Sequence, residues 1–305
     1  MATLTPLERD TDHGDNLYLT PDEAREIAEA TATRRAEAYE DSDVNREAPP
    51  GGGDGSPGAA GNVGGYNNFW FDRGAGVVDD RRTSLIVEPA DGRVPSLQPG
   101  FDMVQLSLGE DLLGTRPVRV RAAGIGADSW EDRGLAERCL VGFNSGPPIV
   151  PAGYNQNLQV LQTPTEVVLV NEMVHSTRVI PLDGRPHVPD TLRQWMGDSR
   201  GHWDGDTLVV ETTNFLRETS FRGGVTTGDL HLVERFTRMS DGTMMYRVTV
   251  EDPNTWDQPW TYQIPMVTNT MPLYEYACHE GNYGLYNILA GAREEEATAE
   301  ANTRD

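Results

Sequence analysis

In the second half of the chain, apolar residues recur at every other position. Across 244–251, Met244, Tyr246, Val248 and Val250 fall on one face, while Met245, Arg247, Thr249 and Glu251 fall on the other. A strand with one buried face requires that period of two. Runs of similar β-branched and aromatic character surround it: RRTSLIVEP, LQVLQT, EVVLVNEM, STRVIPL, DTLVVETTNF, HLVERFTRM and WTYQIPM. Asp91-Gly92, Asp183-Gly184 and Asp241-Gly242 punctuate them, and Asp-Gly suits the positive-φ turns that join neighbouring strands. The pattern predicts a mainly β protein, an antiparallel meander of about eight to ten strands between Trp70 and Met266.

Helices are predicted at both ends. Thr20 as N-cap, Pro21 in the first turn and Glu23 completing a capping box open a helix over 20–40. That helix has no apolar stripe and buries little. A short helix is expected over Ser129–Cys139 with Asp128 as its cap, and another from about Tyr286, its charged end fraying. The Gly/Pro-rich run over 48–65 reads as a linker. The expected organisation is an acidic extension (1–47), this linker (48–65), a β domain (66–293) and a charged tail (294–305).

Charge narrows the function classes. The formal net charge is −23, and all 25 basic residues are Arg. Such a surface repels phosphate backbones and anionic lipid heads, so nucleic acid and membrane are not expected partners. Without Lys there is no Schiff-base lysine and no P-loop lysine. No GxGxxG or Walker pattern occurs, and no cofactor or metal is expected. Cys139 and Cys278 form no CxxC; they either join in one long-range disulfide or stay as two buried thiols. No run of eighteen apolar residues is present, and Met1 to Asn16 lacks the basic flank and apolar core of a secretory leader. A soluble chain is expected, either internal or the mature form of an exported one.

The blocks IPLDGRPHVPDTLRQWMGDSRGHWDGDTLVVETTNF, HLVERFTR, VEDPNTWDQPWT and YEYACHEGN resemble a large bacterial family of uncharacterised, often secreted proteins. The resemblance spans roughly Tyr66 to Arg293 and implies no activity. A wider likeness is to lipocalin-like barrels, which hold small apolar ligands in an up-and-down antiparallel barrel. It implies such a barrel, or a curled sheet, with Trp70 plugging its closed end; no G-x-W precedes Trp70, which leaves a sandwich or a two-lobed barrel open.

Several clusters carry reactive side chains. Gly197-Asp198-Ser199-Arg200-Gly201 matches G-x-S-x-G, but a turn and a strand follow it, not the helix of a nucleophile elbow. A glycine-rich loop is expected there, and a hairpin tip at His202–Asp206. Glu172, His175 and Arg178 form an acid–base set with a cation for a developing anion. The segment 274–283 adds Glu275, His279 and Glu280 beside Tyr274, Tyr276 and Asn282. Tyr154, Asn155 and Asn157 offer hydrogen bonds to a neutral ligand, and Trp195 and Trp203 offer flat apolar surface. His187 and His231 lie beside turns and read as surface residues.

The expectation is a cofactor-independent lyase, isomerase or hydrolase acting on a small apolar or oxygenated molecule. His175 or His279 would be the base, Glu172, Glu275 or Glu280 would orient it, and Arg178 would stabilise charge. The alternative is a non-catalytic binding or carrier protein in which those groups only orient the cargo. An interaction module built on the acidic helix near Thr20 ranks last, because that helix has no apolar anchor.

Overall fold

The computed structural model describes residues 2–38, 72, 74–101, 127–142, 144–151, 153–216, 220–221, 224–225 and 228–304. The predicted linker over 48–65 and Trp70 lie outside them. The strands are β1 (Ile86–Glu88), β2 (Leu158–Gln162), β3 (Glu166–Asn171), β4 (Thr177–Pro181), β5 (Asp198–Asp204) and β6 (Thr207–Thr213). Then follow β7 (Ser220–Phe221), β8 (Gly224–Val225), β9 (His231–Arg238), β10 (Thr243–Glu251) and β11 (Trp260–Val267). They form a six-stranded antiparallel sheet in the order β1-β11-β10-β9-β6-β5, a three-stranded antiparallel sheet β2-β3-β4, and the small hairpin β7-β8.

The two larger sheets share one core. Tyr246, Val248 and Val250 of β10 are fully buried, as the alternation requires, and so are Trp260, Tyr262 and Ile264 of β11. Val167, Leu169 and Ile180 of the smaller sheet join Leu208, Val210 and Phe236 of the larger one in the same cluster. Full burial of an apolar side chain of this size stabilises by about 1.5 to 3 kcal/mol. Between β4 and β5 the sheets come close because position 201 is glycine. A Cβ there would meet Ile180 Cγ2 at 2.7 Å and Leu182 Cδ2 at 2.9 Å.

Among the described residues the sheets do not close into a barrel. β1 pairs only with β11 and β2 only with β3. β1 is three residues long, and β2 is exposed along most of its length; both keep one edge without a strand partner among the described residues. The run over 197–201 is not a loop: 198–204 is strand β5, and the Ser199 hydroxyl lies 2.9 Å from that of Thr212 on β6.

α1 spans Pro21–Ala38 with the expected capping box, Glu23 N–H donating to Thr20 Oγ1 at 3.2 Å and Thr20 N–H to Glu23 Oε2 at 2.7 Å. The helix expected over Ser129–Cys139 is instead a single 3-10 turn, Trp130–Asp132, capped by Ser129 and not Asp128. Gly134 follows directly, and glycine is a poor helix former. α2 begins earlier than expected and runs through the charged tail, Tyr283–Arg304, where Ala, Glu and Arg favour helix. No helix of the described residues is long and apolar enough to cross a membrane. Cys139 and Cys278 are joined in a disulfide, with Cα atoms 5.7 Å apart, which ties the segment before α2 to the body.

Candidate ligand-binding cleft

A buried polar network fixes how the two sheets sit. Glu234 points inward from β9 among Leu232 and Phe236 and is fully buried. Arg178, buried on β4, answers it with two bonds, Nη1 to Oε2 at 2.5 Å and Nη2 to Oε1 at 3.0 Å. The Tyr246 hydroxyl donates to Glu234 Oε1 at 2.9 Å and accepts from the Ile149 amide at 3.0 Å. Tyr262 donates to the Ile149 carbonyl at 2.9 Å. Burial pushes the Tyr246 phenol well above its ordinary pKa, and the neighbouring carboxylate adds to the shift. A carboxylate in a core is tolerated only when its oxygens are satisfied in this way.

Two recesses lie beside β2. One recess of about 700 Å³ lies between β2 and the ends of β10 and β11, and it includes Asn157, Val160, Met244, Met266, Met271 and Leu273. A second, of about 760 Å³, lies between the smaller sheet and the tips of the hairpins β5-β6 and β9-β10. Its lining includes Leu169, Trp203, Asp206, Phe236, Met239 and Met244. Val160, Arg238, Ser240, Asp241 and Met244 border both, so the recesses adjoin. Of the nine methionines in the chain, Met239, Met244, Met266 and Met271 line this composite cleft. Thioethers on flexible stems adapt to differently shaped apolar ligands.

Two residues expected to bind ligand, Asn157 and Trp203, are at this cleft. Asn157 is held by buried Glu172, which accepts from its side-chain amide at 2.8 Å and from its backbone amide at 3.2 Å. Asn269 Nδ2 donates to Asn157 Oδ1 at 2.9 Å from the far wall. Glu172 thus braces β2 and does not orient His175. His175 is exposed on a turn where it and Val174 both have positive φ, 42° and 48°, and Arg178 is committed to Glu234. Glu275, His279 and Glu280 are exposed on the segment before α2. Among the described residues no side-chain hydrogen bond or ion pair joins any two of these six.

Trp195 borders a separate cleft of about 550 Å³ between β4 and β5. The Tyr154 and Asn155 carbonyls accept from Asn144 Nδ2 at 3.0 and 3.1 Å. Tyr274 is largely exposed and Tyr276 half-buried, while Asn282 donates to the Glu137 carbonyl at 3.2 Å and accepts from Leu285 N–H at 3.4 Å.

Sequence reasoning missed Arg238, Met244 and Phe236; the methionines flanking Asp241-Gly242 were their available signal. It also missed an ion cluster at the start of β5. Asp198 accepts from His187 Nδ1 at 2.9 Å, Val188 N–H at 3.1 Å and Arg200 Nη1 at 2.7 Å. Burial pushes the Asp198 carboxyl up, but the Val188, His187 and Arg200 hydrogen bonds outweigh it and hold the pKa below the ordinary value. The unfolded chain therefore binds this proton more readily. The cluster's contribution is present above the ordinary carboxylate pKa of about 4 and is lost as pH falls through the lower folded value. Urea midpoints followed from pH 5 to pH 2 should fall less steeply in Asp198→Asn than in the parent; equal slopes would contradict the assignment.

Comparison with protein-family models, with curated proteins and with solved structures finds no match to this chain.

Proposed function

We propose that this protein binds a small, largely apolar or oxygenated molecule in the composite cleft, the non-catalytic alternative of the two small-molecule readings. In this reading the sheets curl like an unfinished barrel, and the ligand occupies the seam that strand pairing leaves open. The observation that carries it is the pair of adjoining recesses bordered by Val160 and Met244, each within the roughly 300 to 1,000 Å³ typical of small-molecule sites. Trp203, Phe236 and the methionines supply apolar surface, and Gln156, Asn157, Gln159, Ser240, Thr268 and Asn269 supply polar groups beside it. The proton-transfer reading lacks comparable support, since its six residues make no hydrogen-bonded pair through their side chains. Kinship with the bacterial family carrying the quoted blocks is proposed on those blocks alone.

The test is titration with a neutral apolar fluorophore, N-phenyl-1-naphthylamine, read by its emission and by quenching of tryptophan. One molecule should bind per chain, and Met244→Glu, which places a charge on the border of both recesses, should weaken binding at least tenfold with the far-ultraviolet dichroism unchanged. Absence of binding, or binding indifferent to Met244→Glu, would refute the proposal.

A further inference from the structure

Resting on that reading, the geometry points to the class of ligand: an apolar molecule carrying one positive charge, an alkyl or aryl ammonium. Three charged side chains border the composite cleft, Asp206, Arg238 and Asp241. Arg238 Nη2 lies 2.8 Å from Asp241 Oδ1, so these two cancel. Among the described residues no cation pairs with Asp206. The rim therefore keeps one uncompensated carboxylate, beside Trp203 in the same recess. A carboxylate and an indole that border one recess suit an ammonium, which can gain from the charge and from the π-system of the ring. Trp203 is 44% exposed, leaving that surface accessible to a ligand.

The long-range field favours the same class. With a net charge of −23, the chain draws cations toward it and repels carboxylates, sulfates and phosphates, an effect that added salt screens. The recesses also offer apolar surface from Trp203, Phe236 and the methionines, which a fully hydrated cation such as a metal ion leaves unused. A molecule that presents both an apolar body and a single positive charge uses both features.

The experiment uses the full chain and three probes of one shape: naphthylmethyl-trimethylammonium, its uncharged carbon analogue neopentylnaphthalene, and naphthylmethyl-sulfonate. At low ionic strength the ammonium should bind roughly tenfold more tightly than the sulfonate, the combined effect of one screened charge and one ring contact. Asp206→Asn should weaken the ammonium about fivefold, equivalent to one solvent-screened ion pair, and leave the neutral probe unchanged. Added salt should weaken the ammonium alone. If ammonium and neutral probe respond alike to Asp206→Asn and to salt, or if the sulfonate binds best, the charge inference is overturned while the cleft survives as an apolar site. If none of the three binds, the cleft reading itself fails.

Discussion

Replacing Arg178 by Met is expected to lower the unfolding free energy by about 3 to 5 kcal/mol, because it strands the fully buried Glu234 carboxylate without its cation. The size of the effect comes from what is left behind more than from what is removed. Coulomb attraction between the pair roughly offsets the cost of bringing both charges out of water. Removing one partner leaves that cost uncompensated. The double variant Arg178→Met, Glu234→Leu should therefore recover most of the loss. Its residual deficit is about 1 to 3 kcal/mol, since the Tyr246 hydroxyl then lacks its acceptor. Urea midpoints of the parent, the single variant and the double variant measure this directly. A double variant no more stable than Arg178→Met would show that the stranded carboxylate is not the source. Because the pair joins β4 to β9, the single variant should also weaken N-phenyl-1-naphthylamine binding, as the sheets that wall the cleft lose their register.

Loss of the Cys139–Cys278 bond is the second large effect. The bond closes a loop spanning a sequence separation of 139, and in the chain-entropy account such a loop restricts the unfolded ensemble by about 5 kcal/mol. The Cys139→Ser, Cys278→Ser variant should thus unfold at a markedly lower urea concentration than the parent under oxidising conditions. Under reducing conditions the two should coincide. Equal midpoints before and after reduction would contradict the linkage. A binding readout adds a second check. Met271 and Leu273 lie a few residues before Cys278 and contribute to one wall of the cleft, so reduction should loosen that wall and raise the dissociation constant of an apolar probe.

Much of the fold was legible because it is local. Alternation in β10 and the Asp-Gly turn after β9 need only neighbouring residues, and the Thr20–Glu23 capping box is closed within four. The helix misread over Ser129–Cys139 shows the limit of local signals: Ser129 competes with Asp128 as cap, and Gly134 stops the turn from propagating. The site was less legible, because it depends on where two sheets stop. Glu234 shares the inward register of Leu232 and Phe236 but was not singled out, and its partner Arg178 lies 56 residues earlier, with no spacing rule to couple them. Arg178 was read instead with its near neighbours Glu172 and His175, whereas strand alternation turns it inward and leaves His175 at the surface. Asn157 and Trp203, singled out by residue type, border the candidate cleft. The methionines at the cleft were passed over because, in a strand pattern, methionine reads simply as core.

The covalent link has one more consequence, which concerns force. Strands β2 to β11, from Leu158 to Val267, all lie inside the segment that Cys139 and Cys278 enclose. Tension applied at the two ends of the chain would cross from Cys139 to Cys278 through the sulfurs and bypass those ten strands. Of the described strands only β1 lies outside the enclosure, held at the sheet edge by β11, so an oxidised molecule stretched from its ends should peel β1 away and then resist. A reduced one should go on to unravel strand by strand.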